Sequence, residues 1–239
     1  MGNLFNEILY RPLFNALIFL YQYFPLHDLG IAIILLTILI RLVLLPLFYK
    51  GAKDQTIMQR LAPKIKEIQK NHKADKEKQA KALLDLYREH QVNPLSGFFL
   101  LLIQLPILIA LYQVFLKGLS SEALGALYSF ASRPDVLNHY FLGLVDLSQR
   151  SILIVVLAAI AQFFQGKLAL PKTNGSGGEL SVAEKVGRQM IYLGPVITVI
   201  FLVNLPSAIG LYWLATSAFS IIQQIAINRK LEKNGRTAK

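Results

Sequence analysis

The sequence predicts an all-α polytopic membrane protein with five transmembrane helices, a cytoplasmic helical hairpin and an N-terminal interfacial helix. Three observations support this fold class. Of the 239 residues 54% are hydrophobic, these residues fall into long apolar runs, and the formal net charge is nevertheless +11. About 20 apolar residues cross a hydrocarbon core of about 30 Å, and basic residues collect in loops on the cytoplasmic side of a membrane. Apolar runs therefore account for the hydrophobic content, and basic loops account for the charge.

The N-terminal segment, residues 4–24, has too short an apolar run to be a clear span. Arg11 and Pro12 leave only residues 13–24 mostly apolar. A cleaved signal peptide would fit this length, but no small-residue cleavage site follows. Aromatic side chains suit the headgroup level of a bilayer, and here they include Phe14, Phe19, Tyr21, Tyr23 and Phe24. We interpret the segment as an interfacial helix, with a signal sequence as the alternative.

Five apolar stretches predict the membrane spans, namely residues 29–49, 95–116, 149–168, 190–204 and 207–227. Pro106 is expected to kink the second span. The last two spans belong to one apolar stretch that would extend about 57 Å as a single helix, which is too long for one crossing. The sequence VNLPS supplies a break, because asparagine and proline together favour a tight turn.

The basic residues are distributed unevenly among the loops that this division creates. Residues 50–93 contain 11 Lys and Arg, residues 167–188 contain four and residues 228–239 contain five, together 20 of the 25. Residues 118–147 contain only Arg133 against three acidic residues. The positive-inside rule therefore places the three basic segments in the cytoplasm and the N-terminus outside. Five spans satisfy this assignment without contradiction.

Residues 50–93 predict a hairpin of two antiparallel amphipathic helices. Apolar residues recur at helical spacing on either side of a polar stretch, which places the turn near residues 71–75. Two interpretations of the cations remain open: a solvated face that only fixes topology, or contact with anionic lipid, ribosomal RNA or a targeting partner. The candidate contacts are Lys64, Lys66, Lys70 and Lys73.

Arg41 interrupts the first span, within the sequence LLTILIRLVLLPL. In a straight helix it would lie about 13 Å from Lys50 at the cytoplasmic edge. A charge that faces lipid at this depth costs at least about 2.5 to 3.5 kcal/mol. No predicted span contains an acidic residue, so an ion pair within the membrane is excluded. Arg41 must therefore face protein or water.

Polar residues of other spans could line the same space as Arg41. Thr37 lies one turn earlier on the same helix face. The remaining candidates are Gln162 and Gln165 in the third span, and Trp213, Ser217, Ser220 and Gln224 along one stripe of the fifth. Each residue alone is more often an interhelical contact. Together with an unpaired arginine they predict a water-containing cavity that opens towards the cytoplasm.

The sequence offers little for covalent or metal chemistry. It contains no cysteine, and its four histidines show no metal-ligand spacing. We find no nucleophile–base pair, phosphate-binding loop or metal motif, and we expect no enzymatic activity, catalytic residue, cofactor or metal. A small solute transporter or channel with a polar intramembrane cavity remains an alternative, as does a purely structural assembly factor.

Five stretches carry specific motifs: LYRPLFNAL, TILIRLVLLPL, LAPKIKEIQK, LDLYREHQVNPLSGFFLLLIQLPILIALYQVF and LPSAIGLYWLATSAFSIIQQ. They resemble the YidC/Oxa/Alb family of membrane protein insertases over nearly the whole chain. The resemblance implies a five-span core around a hydrophilic groove, open to the cytoplasm and to lipid. It places the family's groove arginine at Arg41, its polar threonine at Thr37 and its aromatic residue at Trp213. The match of Gln162 or Gln165 to a third-span groove position is looser.

The resemblance also implies partners and a location. Nascent membrane proteins would be the clients, with the ribosome, the Sec translocon and membrane lipids as further partners, and no contact with DNA is expected. The sequence departs from the large Gram-negative form, which has an extra first span and a folded periplasmic domain, and from the lipoprotein forms, which carry a cysteine. We therefore expect a minimal bacterial form in the inner or plasma membrane, with its C-terminus in the cytoplasm.

The charge asymmetry predicts how single cysteines will react in intact cells. We place them at Ser121, Ser176 and Thr237 in the cysteine-free chain. An impermeant thiol reagent should label only the cysteine at Ser121, because the other two positions are assigned to the cytoplasm. Labelling at Ser176 before lysis would contradict the five-span division.

Overall fold

The computed structural model describes residues 2–24, 27–117, 125–129, 131, 134, 137–169 and 182–237. Ser121 and Ser176, chosen above for labelling, lie outside the described residues. In chain order the elements are α1 (Gly2–Phe5), a π-helical segment (Asn6–Tyr10), α2 (Arg11–Tyr23), α3 (Leu29–Val43), α4 (Leu45–Asn71), α5 (Lys76–Glu89), α6 (Ser96–Lys117), β1 (Tyr140–Phe141), β2 (Val145–Asp146), α7 (Ile152–Ala169), α8 (Val182–Leu202) and α9 (Ser207–Thr237). The predicted all-α class is therefore confirmed.

Among the described residues, three helices are long and apolar enough to cross a membrane. They are α6 over Ser96–Leu116, α7 over Ile152–Ala169 and α9 over Ser207–Lys233. The bent pair of α3 and α4 would make a fourth span, and α8 contributes the shorter apolar helix Ile191–Leu202. These lengths identify a polytopic membrane protein. The division into five spans stays a prediction.

A sharp bend separates α3 from α4, so residues 29–49 do not form one straight helix, and the span over these residues stays a prediction. The two helices meet at 73°, and Leu44 between them leaves the helical region with φ −92° and ψ 6°. Pro46 explains the break, because it lacks an N–H and its ring clashes with the carbonyl four residues earlier. Arg41 therefore lies three residues before a corner, and its distance of 13 Å from Lys50 along a straight helix no longer applies.

The N-terminal segment packs into the bundle with one face. Phe14 and Tyr21 of α2 are buried in the main core, whereas Phe19 and Tyr23 are exposed. The position of the segment at the headgroup level stays a prediction, whereas Phe14 and Tyr21 face the protein interior. The physical reason is amphipathicity, since the buried residues recur at helical spacing on the side that contacts α3 and α6.

The main core lies where α9 packs against α3 and α7. The approach of α7 to α9 depends on Gly210, because a Cβ atom there would lie 2.8 Å from the Ile154 Cγ2 atom. Small residues at such positions let membrane helices come close enough for their polar side chains to pair. α9 is therefore the central helix, and its neighbours position the candidate site.

The helical hairpin of α4 and α5 projects from the bundle with a small apolar core of its own. Leu61, Leu86 and Val92 are buried in it. The turn lies at residues 72–75, and Asp75 caps α5 by accepting a hydrogen bond from the Lys78 N–H at 3.0 Å. This hydrogen bond lowers the pKa of the Asp75 carboxyl. The four candidate contact residues Lys64, Lys66, Lys70 and Lys73 are all exposed.

Candidate functional site

Arg41 is buried at the corner between α3 and α4. Only 8% of the residue is exposed, and its guanidinium lies 4.4 Å from the centroid of the Phe48 ring. Phe48 follows the bend, so the turn of the chain brings this ring back over the charge. In the described part of the chain, Arg41 forms no salt bridge. The charge is held by an aromatic face and not by a carboxylate.

Tyr212 connects Arg41 to α6. Its hydroxyl is within electrostatic range of the Arg41 guanidinium, and it accepts a hydrogen bond from Gln104 Nε2 at 2.6 Å. Tyr212 is buried. The hydrogen bond between Gln104 and Tyr212 therefore links α6 to α9 at the tyrosine that lies within electrostatic range of the buried charge.

Gln162 pairs α7 with α9. Its Oε1 atom accepts hydrogen bonds from Trp213 Nε1 at 3.1 Å and from Ser217 Oγ at 3.3 Å. The Trp213 ring also packs on Phe201 of α8, with the ring centroids 6.1 Å apart. Trp213 therefore lies between two neighbouring helices, and its indole N–H has a hydrogen-bond partner inside the protein.

Gln224 joins the middle of α9 to α4. Its Nε2 atom donates to Thr56 Oγ1 at 2.9 Å and to Asn228 Oδ1 at 3.1 Å. The Asn228 Nδ2 atom donates to the Leu168 carbonyl oxygen of α7 at 2.9 Å. Three helices meet in this small network, which fixes the first half of α4 against the bundle.

Four residues of the predicted site have no interhelical hydrogen bond among the described residues, namely Arg41, Thr37, Ser220 and Gln165. The Thr37 hydroxyl donates to the Ile33 carbonyl at 2.7 Å, and the Ser220 hydroxyl donates to the Thr216 carbonyl at 2.9 Å, both within their own helix. Gln165 forms no side-chain hydrogen bond in the part of the chain that the structure describes. The predicted polar residues are therefore linked in separate pairs and triplets around α9, and not in one continuous network.

Several residues of the site were absent from the sequence prediction. Gln104 carried a signal, because it is a polar residue inside an apolar run, and Tyr212 directly precedes Trp213. Phe48 and Thr56 carried none. Their contribution depends on the bend after α3, which brings the start of α4 back along the bundle.

The chemical capacity of the site is hydrogen bonding and positive charge. Its side chains are amides, hydroxyls, an indole and a guanidinium. Among the described residues, no group of three or more His, Cys, Asp or Glu could hold a metal ion. The site can bind polar or acidic groups within an apolar bundle.

An apolar helical bundle of membrane-spanning length, with a buried arginine at a helix corner, defines a multi-pass membrane protein. Comparison with known proteins places it more closely. The chain belongs to the 60Kd inner membrane protein family, the YidC/Oxa family, whose model matches residues 19–234.

Curated relatives in two bacteria carry the description "Membrane protein insertase YidC". The chain is 34% identical over 228 residues to the protein of Wolinella succinogenes, covering 95% of this chain and 38% of that one. It is 30% identical over 224 residues to the protein of Campylobacter jejuni, covering 93% of this chain and 38% of that one. The chain therefore spans well under half the length of these relatives.

A solved structure shares the fold. It is described as an active YidC insertase crystal structure with the first transmembrane domain resolved. The TM-score is 0.57 at 27% sequence identity, and the match covers 89% of this chain and 45% of that one. The likeness in structure agrees with the family assignment.

The hydrogen bond between Trp213 and Gln162 can be tested by fluorescence, because Trp213 is the only tryptophan in the sequence. Gln162→Leu removes the acceptor of the indole N–H, so the emission of the detergent-purified protein should shift to shorter wavelength. Stability should fall by about 1 kcal/mol per hydrogen bond lost. Gln165→Leu, three residues along the same helix, is the matched control and should leave the emission unchanged. Identical spectra for both variants would contradict the pairing.

Proposed function

We propose that this protein is a membrane protein insertase, which helps nascent membrane proteins enter and fold in the bilayer. The observation that carries the proposal is Arg41, a charge buried in an apolar bundle without a salt-bridge partner among the described residues. Relatives that align with most of this chain and are described as membrane protein insertases support it. The proposal favours this function over a solute transporter or channel.

The physical problem of insertion is the transfer of polar groups across hydrocarbon. An unpaired amide or hydroxyl costs several kcal/mol in an apolar medium. A hydrophilic groove that reaches partway into the bilayer shortens this barrier. The groove residues that we propose are Arg41, Thr37, Gln162, Gln165, Trp213, Ser217, Ser220 and Gln224.

In this mechanism Arg41 attracts acidic or polar groups of the incoming chain, and the apolar segment of the client moves sideways into lipid. The corner between α3 and α4 supports this role, because it presents the guanidinium beside a helix end and not deep along a straight helix. No covalent step is required, so the protein acts without enzymatic chemistry.

The proposal includes a topology and partners. In the proposed five-span topology the N-terminus lies outside a bacterial cell, and the hairpin, residues 50–93, lies in its cytoplasm. There the exposed lysines would contact an anionic partner, with the ribosome as the first candidate and the Sec translocon and membrane lipids as others.

Substitution of Arg41 tests the groove. Arg41→Lys should retain much of the insertion activity in reconstituted vesicles, since a positive charge without a carboxylate partner needs no bidentate geometry. Arg41→Ala should lose activity for clients with acidic translocated tails. Stability should fall little in Arg41→Ala, because the change removes a buried charge and breaks no salt bridge. Full activity of Arg41→Ala with acidic clients would contradict the mechanism.

Site-specific crosslinking provides the spatial control for this prediction. Photo-crosslinkers at Arg41, Gln162 and Trp213 should capture a stalled client. A crosslinker at Leu39, which lies on the same helix as Arg41 but is 48% exposed on a different face, should capture much less. Equal capture at all four positions would contradict the proposal, because clients would then contact the proposed groove no more than the exposed face of α3.

The hairpin lysines can be tested separately. Replacing Lys64, Lys66, Lys70 and Lys73 with glutamine should weaken ribosome association, most strongly at low salt, because exposed charges act over roughly 8 to 10 Å at physiological ionic strength. The matched variant with arginine at these four positions keeps the charge and should bind normally. Unchanged association of the glutamine variant at low salt would leave these residues a topological role only.

A further inference from the structure

The β1–β2 hairpin ends in a turn that exposes large aliphatic side chains. Leu142 is 57% exposed and Leu144 is 82% exposed. Leu142 and Gly143 have positive φ angles of 53° and 69°, which form the tight reversal between the strands. The two strands pair in antiparallel register, with Phe141 opposite Val145. The result is a short, defined loop with an apolar tip.

The hairpin is held beside the first turn of α3. The Leu142 N–H donates to Asp28 Oδ2 at 2.5 Å, while Asp28 Oδ1 caps α3 by accepting from the Ile31 N–H at 2.9 Å. A Cβ atom on Gly30 would overlap the Phe141 ring, so this ring lies directly against the helix. One carboxylate therefore fixes the tip at the level where the apolar helix begins.

The base of the hairpin is fixed from the other side by α9. The Ser207 hydroxyl donates to the Asp146 carbonyl oxygen at 2.9 Å, and the Ala208 N–H donates to the Leu147 carbonyl oxygen at 3.1 Å. Leu147 is fully buried. The tip cannot fold back over the bundle without breaking these contacts, so its exposed leucines point to whatever surrounds this end of the protein.

The side chains of the tip itself are apolar and uncharged. Residues 140–145, with the sequence YFLGLV, contain no ionisable side chain except the phenol of Tyr140. Large apolar side chains are also exposed at the end of α2, at Tyr23, and at the start of α7, at Ile152 and Leu153. Aliphatic and aromatic side chains at the end of membrane helices are typical of the boundary between headgroups and acyl chains.

We propose that residues 142–144 insert into the interfacial region of the bilayer, where the leucine side chains contact phospholipid at the headgroup boundary. The hairpin then acts as a lipid anchor at the end of the bundle where α3, α7 and α9 begin. This inference is independent of the insertase proposal, because it rests only on the position and chemistry of the hairpin.

The test uses a nitroxide spin label on a single cysteine at Leu144, in purified protein reconstituted into phosphatidylcholine and phosphatidylglycerol vesicles. Collision with oxygen reports lipid, and collision with a water-soluble nickel complex reports water. The same label at Leu153 is the lipid-facing reference, and at Ala74 in the turn between α4 and α5 it is the water-exposed reference. The unchanged emission of Trp213 checks that each variant is folded.

The label at Leu144 should give an oxygen-to-nickel ratio close to that at Leu153 and well above that at Ala74. Adding Leu142→Ser should move the Leu144 ratio towards water and leave the Ala74 ratio unchanged. A Leu144 ratio equal to that at Ala74 overturns the proposal. Protection of the label from nickel in native membranes but not in the purified vesicles also overturns it, since a protein would then cover the tip.

Discussion

The constraint on which the structure depends is that polar groups in hydrocarbon must find partners within the protein. α9 meets this constraint with a different helix at each level. Its Tyr212 pairs with Gln104 of α6, its Trp213 and Ser217 pair with Gln162 of α7, and its Gln224 pairs with Thr56 of α4. Each hydrogen bond requires a particular rotation and axial position of the two helices relative to each other. Together the hydrogen bonds therefore fix how the neighbouring helices are placed around α9.

Arg41 departs from this pattern, because its charged side chain is buried without a hydrogen bond or salt bridge among the described residues. Taking a charge out of water costs on the order of several kcal/mol even after the protein relaxes, whereas a desolvated cation–π contact such as that with Phe48 contributes about 2 kcal/mol. The hydroxyl of Tyr212 adds a dipole and no countercharge. A bundle selected for stability alone would place a neutral residue here. The remaining cost is consistent with a charge retained to meet polar groups that arrive from outside the protein.

The two hairpins attach to the bundle in different ways. The α4–α5 hairpin is anchored through its base, where the Ser96 hydroxyl donates to the buried Asp54 Oδ2 at 2.6 Å and Thr56 accepts from Gln224, while its outer half is polar and basic. The β1–β2 hairpin is anchored along its length to α3 and α9 and has an uncharged apolar tip. The basic α4–α5 hairpin is suited to water and to anionic partners, whereas the apolar tip of the β1–β2 hairpin is suited to the boundary of the lipid.

The sequence by itself determined the helical class, the apolar stretches and the turn of the α4–α5 hairpin, and it marked Arg41 as a charge inside an apolar run, because each depends on local composition or periodicity. The polar stripe on α9 could also be predicted from the sequence, because its residues recur at helical spacing. The tertiary structure decided the bend at Leu44, the burial of Phe14 and Tyr21, and which polar residues pair with one another. Phe48 could not be assigned to Arg41 from the sequence, because their contact exists only after a proline turns the chain through 73°. Contacts between residues of different helices depend on how the helices pack. The periodicity within one helix does not show which residues of a neighbouring helix it meets.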